Sequence, residues 1–215
     1  MHIPDGFVST GTAAATWLAS AGSVGYAVRR VNQELNERQV PLMGVTAAFI
    51  FAAQMMNFAV AGGTSGHLLG GALAAILLGP WAGMLVLTSV LAVQALLFQD
   101  GGLLALGANV FNMAVVGVLV GWVAYTTFRR ILGDRTWAMM VSGFAAAWLS
   151  VFVASLVAAA ELAISGTSPW VVVLSAMGLV HVFIGIGEGL ITVGVLAFLQ
   201  AARPDLLVLR QPSEA

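Results

Sequence analysis

Long runs of apolar residues, separated by short polar segments, repeat along almost the whole chain. An α-helix needs about 20 predominantly apolar residues to cross the hydrocarbon core of a membrane. The runs predict seven helices, over residues 10–28, 41–61, 64–79, 81–99, 103–128, 137–163 and 171–201. The third run is short and ends at Gly79-Pro80. The pattern predicts an all-α, polytopic membrane protein with seven transmembrane helices.

Basic residues are confined to some of the connecting segments. They are Arg29, Arg30, Arg38, Arg129, Arg130, Arg135, Arg203 and Arg210. With seven helices, all of them lie in the loop after the first helix, the loop after the fifth, or the tail, which share one side of the membrane. Because positive charge favours the cytoplasmic side, we expect the N-terminus outside and the C-terminus in the cytoplasm.

The overall composition supports a membrane protein and excludes several kinds of site. Charged residues make up 8% of the chain, against about 25% in soluble domains. The net charge of −1 offers no basic surface for nucleic acid. There is no cysteine, which excludes disulfides and thiolate metal sites. We expect one domain over 1–215, made of an N-terminal arm (1–9), a helical bundle (10–201) and a cytoplasmic tail (202–215).

The first residues carry an unusual set of metal-binding groups. The N-terminus does not read as a cleavable signal, and Met1 is expected to stay because His2 is large. The Met1 amine, the backbone nitrogen of His2 and the His2 imidazole can form two fused chelate rings. His67 is the candidate for a fourth nitrogen. Four nitrogens in a plane suit Ni²⁺ or Cu²⁺, Co²⁺ can accept the same set, and Zn²⁺ is expected to bind less well. The same residues also fit an ordinary short tail and an interfacial histidine.

Further polar residues lie inside the predicted helices. His181 and Glu188 are seven residues apart and share one helix face, where a polar pair or partner contact is favoured over a second metal site or proton relay. Five buried-span amides are expected to cross-link helices or to support the histidines: Gln54, Asn57, Gln94, Asn109 and Asn112. Asp100 is expected to be a solvated turn residue.

Small residues recur at intervals of four, as in Gly44, Ala48 and Ala52, in Gly62, Gly66 and Gly70, and in Gly117 and Gly121. Such rows let helix backbones approach closely, either within the chain or against a partner subunit. The chain contains no P-loop, HExxH or GxSxG motif, so we expect no catalytic activity.

Several segments together resemble the CbiM/NikM family, the substrate-binding membrane subunits of energy-coupling-factor cobalt and nickel transporters. The resemblance runs from Met1 to about Asp205. The segments that carry it are MHIPDG at the start, GGTSGHLLGGALAAILLGPWAG at 62–83, LLFQDGGLLALGANVFNMAVVG at 96–117, IGEGLIT at 186–192 and ARPDL at 202–206.

The resemblance implies a seven-helix subunit whose N-terminal arm tucks into the protein. It implies Met1, His2 and His67 as the ligands of Co²⁺ or Ni²⁺, the transported substrate, with no organic cofactor. It also implies a location in the plasma membrane of a prokaryote. The partners would be a transmembrane coupling subunit, a pair of cytoplasmic ATPases and, in some systems, a small accessory membrane subunit.

Two other functions compete with this interpretation. A stand-alone secondary transporter or channel for a divalent metal would need an ionisable path across the membrane, for which only His181 and Glu188 are available. A vitamin-binding subunit would need a larger aromatic pocket and gives no reason for a histidine at position 2. The sequence does not distinguish cobalt from nickel.

Overall fold

The protein is mainly helical in the computed structural model, which describes residues 1–34, 39–60 and 64–208. The helices of these residues are α1 (Thr10–Glu34), α2 (Gln39–Gln54), α3 (Gly71–Leu97), α4 (Leu106–Asn109), α5 (Val118–Leu132), α6 (Thr136–Ile164), α7 (Trp170–Ala202) and α8 (Asp205–Val208). A π-helical segment, Val110–Gly117, joins α4 to α5 without a break. Arg38, Gly62 and Arg210, which the sequence analysis singled out, lie outside the described residues.

A small β-hairpin lies between α2 and α3. Strands β1 (Phe58–Val60) and β2 (Thr64–Gly66) are antiparallel, with Ala59 opposite Ser65. The helix predicted over 41–61 therefore ends too late, because α2 ends at Gln54. The helix predicted over 64–79 begins too early, because α3 begins at Gly71. Non-helical backbone is tolerated in a membrane protein where protein groups satisfy its hydrogen bonds, and strand pairing does so here.

Helix α3 consists of two segments that fold back on each other at Gly79. Gly79 has φ 80° and ψ 172°, outside the helical region, and Pro80 follows it. A Cβ atom on Gly83 would lie 3.1 Å from the backbone of Ala74. In a straight helix these two residues would be about 13 Å apart along the axis. The predicted division of the chain at Gly79-Pro80 thus corresponds to a sharp reversal between two packed helical segments.

Among the described residues, four helices are long and apolar enough to cross a membrane. They are Gly71–Leu97, which contains the reversal, Leu106–Leu132, Thr136–Ile164 and Trp170–Ala202. Helix α2 is apolar but has 16 residues. Helix α1 extends past its predicted end to include Arg29 and Arg30, which makes it less apolar. The structure thus shows a mostly helical membrane protein, while the number of spans and their orientation stay predictions.

The rows of small residues have different surroundings. Gly117, the last residue of the π-helical segment, faces Leu69 just before α3, and Gly121 of α5 faces Ala72 of α3, so this row packs within the chain. By contrast, Gly44, Ala48 and Ala52 lie together on an exposed face of α2. The third row is not helical at Gly66, which belongs to β2.

Candidate metal-binding site

The N-terminal arm turns back into the protein, so that its first three residues are buried. Met1 and Ile3 are fully buried and His2 is 4% exposed, whereas Pro4 and Asp5 are exposed. The reversal occurs at Gly6, whose φ of 86° is in the region that favours glycine. Pro4 and Gly6 are residue types that favour turns, which is consistent with a reversal of the chain at this point.

Asn109, in α4, holds the backbone of the arm. Its Oδ1 accepts a hydrogen bond from the Ile3 amide at 2.8 Å, and its Nδ2 donates to the Ile3 carbonyl oxygen at 3.1 Å. The Gly102 amide donates to the same carbonyl at 2.9 Å. Together these bonds fix the backbone next to His2.

The Asp5 carboxylate joins the arm to the segment before α4. It accepts hydrogen bonds from the amides of Leu103 and Ala105, both at 3.0 Å. Gly102 is required by this contact, since a Cβ atom there would lie 2.0 Å from Asp5 Oδ1 and 2.3 Å from the Asp5 backbone nitrogen.

Strand β2 places Ser65 beside the two backbone nitrogens of the arm. The Met1 amine donates to the Ser65 carbonyl oxygen and lies 3.1 Å from Ser65 Oγ. The His2 amide donates to Ser65 Oγ at 3.3 Å. The amine and the amide therefore point to the same strand, two residues before His67.

The imidazoles of His2 and His67 are stacked, with ring centres 4.6 Å apart and planes inclined by 27°. His2 Nε2 donates to Gln94 Oε1 at 3.1 Å, which leaves the lone pair on Nδ1, the atom that can close a chelate ring. His67 Nδ1 donates to the Leu68 carbonyl oxygen at 2.7 Å, which leaves the lone pair on Nε2. His67 Nε2 is buried and has no hydrogen-bond partner among the described residues.

This separation fits two imidazoles bound to one ion. With metal–nitrogen bonds of about 2 Å, imidazoles at adjacent corners of a square have ring centres about 4.4 Å apart. The structure thus brings together Met1, His2 and His67, the three residues predicted from the sequence. No group of three or more His, Asp and Glu side chains that could hold a metal occurs in the described residues. The candidate site relies instead on two side chains and the N-terminal backbone.

Burial favours the unprotonated forms of the basic groups of this cluster. Desolvation lowers the pKa of the Met1 amine well below 8.0, against a smaller opposing effect of Asp100. Desolvation, together with the charge of the Met1 amine, lowers the pKa of His2 to about 3 and that of His67 well below 6.5. Because only unprotonated nitrogen binds a metal, burial reduces the competition from protons.

An open cleft of about 510 Å³ reaches the cluster from one side, lined by residues that include His2, Ser65 and Asp100. Asp100 Oδ1 lies 3.5 Å from His2 Nδ1, and Asp100 Oδ2 accepts a hydrogen bond from Asn57 at 3.2 Å. Partial burial raises the pKa of Asp100, and the Met1 amine opposes this effect. Asp100 is therefore not the solvated turn residue expected from the sequence, but a carboxylate at the mouth of the cleft.

The loop that carries His67 is held by polar side chains from two helices. Glu188 of α7 accepts hydrogen bonds from the amides of Leu69 and Gly70, the latter at 2.8 Å. Gln54 of α2 donates to the Leu69 carbonyl oxygen at 2.7 Å. Glu188 is 3% exposed, so the expectation of a partner contact at Glu188 is wrong.

His181 lies on the same face of α7, two turns before Glu188. It is fully buried, and its Nδ1 donates to the Met177 carbonyl oxygen at 2.8 Å. Among the described residues, His181 has no hydrogen bond with Glu188, whose carboxylate is instead bonded to the His67 loop. The two residues therefore do not act as the polar pair that was expected.

Sequence reasoning missed Ser65, Asp5 and the two glycines after Asp100 as parts of this site. The signal available was the segment QDGG, where paired glycines follow a carboxylate. A Cβ atom on Gly101 would lie 2.9 Å from Asn109 Nδ2 and 3.3 Å from the His2 ring. The glycines therefore leave room for the arm.

Comparison with known proteins gives consistent results. Residues 2–206 match the family model CbiM, described as the cobalt uptake substrate-specific transmembrane region. A putative metal transport protein of Haloquadratum walsbyi is 46% identical over 96% of this chain and 93% of its own length. A putative fused nickel transport protein NikMN of Archaeoglobus fulgidus is 43% identical, over 96% of this chain and 68% of its own.

A solved structure has the same fold. The crystal structure of a truncated transition metal transporter superposes with a TM-score of 0.87 at 34% identity. The match covers 94% of this chain and 99% of the other.

Proposed function

The chain belongs to the CbiM family of cobalt-uptake transmembrane proteins, and on this premise we propose that it captures Co²⁺ or Ni²⁺ as the substrate-binding subunit of an energy-coupling-factor importer. The observation that carries the proposal is the convergence of the Met1 amine, the His2 backbone and imidazole, and His67 in one buried cluster. The cleft beside Asp100 gives the ion access to it.

The proposed ligands are four nitrogens: the Met1 amine, the His2 amide nitrogen, His2 Nδ1 and His67 Nε2. The first three belong to adjacent residues and form a five-membered and a six-membered chelate ring, while His67 completes the square. In the metal-free structure the His2 amide donates a hydrogen bond to Ser65 Oγ. Metal binding to the amide nitrogen would release this proton to solvent. Planar nitrogen coordination suits Ni²⁺ and low-spin Co²⁺, whereas Zn²⁺ prefers a tetrahedral arrangement.

Titration of the purified protein with Ni²⁺, Co²⁺ and Zn²⁺ tests this proposal. We expect one Ni²⁺ or Co²⁺ per chain, weaker Zn²⁺ binding, and a loss of affinity of about 100-fold or more in His67→Gln. Gln99→Ala is the matched control, since Gln99 lines the cleft but supplies none of the four nitrogens. Unchanged affinity in His67→Gln would contradict the ligand set.

Transport requires partners that supply energy. The proposed arrangement places the arm outside, the C-terminal tail in the cytoplasm, and the chain in a prokaryotic plasma membrane beside a coupling subunit and two ATPases. An accessory membrane subunit joins them in systems that use one. ATP hydrolysis would reorient this subunit and present the ion to the cytoplasm.

Uptake in cells distinguishes this role from that of a stand-alone transporter or channel. Accumulation of radioactive Co²⁺ or Ni²⁺ should require ATPase subunits with an intact nucleotide site. Uptake by this chain alone, driven by a proton gradient or membrane potential, would support the alternative. The commitment of Glu188 to the amides of Leu69 and Gly70 argues against an ionisable path through α7.

A further inference from the structure

The cleft that leads to the candidate metal site has one carboxylate in its wall. Among the described residues that line the cleft, Asp100 is the only Asp or Glu, and none is Lys or Arg. Of the three proposed ligand residues, His2 lines this cleft, whereas Met1 and His67 are not part of its lining. An ion that enters by the cleft therefore reaches Asp100 and His2 before it reaches the other two ligand residues.

Asp100 is held beside His2 by contacts with α3 and with the segment that follows α2. Its backbone amide donates to the Gln94 carbonyl oxygen at 3.1 Å, and the Gln94 side chain accepts a hydrogen bond from His2 Nε2. Asp100 Oδ2 accepts a hydrogen bond from Asn57 at 3.2 Å, and Asp100 Oδ1 lies 3.5 Å from His2 Nδ1. Gln94 thus fixes both the His2 ring and the residue whose carboxylate lies next to it.

The Asp100 carboxylate can bind the water molecules of a hydrated ion. Its side chain is 19% exposed, so water in the cleft reaches it. A carboxylate has about four lone-pair sites, and the hydrogen bond from Asn57 uses one of them. A divalent ion arrives with a shell of bound water, and hydrogen bonds from polarised donors to an ionised carboxylate are among the strong ones.

The nitrogens of the site do not themselves attract a distant cation. Nitrogen binds a metal in its unprotonated form, which carries no net charge. A negative charge in a cleft with low-dielectric walls does attract cations, and it raises their local concentration and their association rate. An aqua ion must also lose water before a nitrogen can bind, and this step is faster overall when the hydrated ion is held at the site for longer.

We propose that Asp100 captures the hydrated divalent ion at the mouth of the cleft and holds it beside His2 while nitrogens replace its water ligands. Asp100 accepts hydrogen bonds from the water molecules of the ion and is not a ligand in the final site. The inference rests on the proposed function, because the captured ion needs the four-nitrogen site as its destination. Asp100 should therefore control how fast the ion binds and have little effect on how fast it leaves.

Stopped-flow mixing of Ni²⁺ with metal-free protein, followed by the absorbance of the planar Ni²⁺ site, measures association, and excess chelator measures dissociation. Asp100→Asn removes the charge and keeps an oxygen that can accept a hydrogen bond from Asn57. At low ionic strength we expect the association rate constant to fall about tenfold or more, and the dissociation rate constant to change by less than about threefold. Because salt screens charges, the difference in association should shrink to less than about threefold at about 0.5 M salt.

Asp134→Asn is the matched control, since it removes the same charge at an exposed position after α5, at the end of the helix Leu106–Leu132 that is far from the arm. It should leave both rate constants unchanged. Asp100→Glu keeps the charge and should associate within about threefold of the unaltered rate.

Unchanged association in Asp100→Asn, or a loss that does not depend on salt, would overturn the inference. Equally slow association in Asp100→Glu would overturn it as well, because the charge would then not be the cause. Complete loss of Ni²⁺ binding in Asp100→Asn would show that Asp100 is needed in the final site, which also contradicts a role in capture alone. Failure of the unaltered protein to bind Ni²⁺ would instead refute the proposed function.

Discussion

At the scale of single residues, the docking of the arm depends on the absence of a side chain at Gly102. Replacement by alanine would place Cβ within 2.3 Å of the Asp5 backbone nitrogen. We predict that Gly102→Ala displaces the arm and lowers Ni²⁺ or Co²⁺ affinity by about 10- to 100-fold. Calorimetry would measure the change. Gly22→Ala, in open space on α1, should leave affinity unaltered, and equal behaviour of the two variants would show that docking is unnecessary.

The buried bases make docking of the metal-free arm dependent on pH. The pKa of the Met1 amine is lowered from 8.0 and that of His2 from 6.5 to about 3. A released arm therefore binds more protons than a docked one, so docking is most stable above pH 8. It weakens as pH falls below 8, and more steeply between about 6.5 and 3. Hydrogen exchange at Ile3, corrected for the intrinsic rate, should show protection that decreases as pH falls; constant protection from pH 8 to 5 would contradict this.

At the scale of elements, α7 positions the His67 loop through Glu188. Its two carboxylate oxygens accept two amide protons, whereas glutamine offers one acceptor and a competing donor. Glu188→Gln should lower stability by about 1–3 kcal/mol and also weaken metal binding. Glu161→Gln is the matched control, because Glu161 accepts one hydrogen bond, from Asn112. Thermal unfolding with and without metal gives both quantities. If Glu188→Gln binds metal normally, the loop does not need this support.

Helices that are defined by long apolar runs were predicted well from the sequence. Elements that depend on contacts between distant parts of the chain were predicted poorly. The apolar runs identified the continuous helix Leu106–Leu132 and the helices α6 and α7 to within a few residues. The hairpin β1–β2 was missed because β1 continues the apolar run of α2, and because the two strands form a sheet only by pairing with each other. The structural role of Glu188 could not be predicted from the sequence either, because its hydrogen-bond partner in the His67 loop lies 118 residues earlier in the chain.

The same difference between local and long-range contacts applies to the candidate site. The proposed ligands could be inferred from the sequence because chelation by Met1 and His2 depends on covalent neighbours. Ser65, Asp100 and Asn109 acquire their functions only when three separate parts of the chain meet. Their sequence neighbours carry no periodic signal for such contacts.

At the scale of the whole molecule, the exposed small face of α2 is the candidate docking surface for the coupling subunit. Gly44, Ala48 and Ala52 lie on it, and a Cβ atom on Gly44 would meet nothing within 4 Å. We predict that Ala48→Leu lowers co-purification of the coupling subunit while leaving metal binding by this chain intact. Ala15→Leu, at an exposed position of α1, should affect neither. Normal assembly in Ala48→Leu would exclude this face.

The central claim is that the free amine of Met1 is a metal ligand, and its most direct test is the visible spectrum of Ni²⁺-loaded protein. Intact mass should first establish that Met1 is the mature N-terminus. A variant with Gly-Ser-Gly before Met1 keeps both imidazoles but converts the amine to an amide, and the same three residues at the C-terminus serve as control. We predict one Ni²⁺ with a diamagnetic planar spectrum in the unaltered and control proteins, and its loss in the N-terminal extension. An unchanged spectrum in the extended protein would contradict the account.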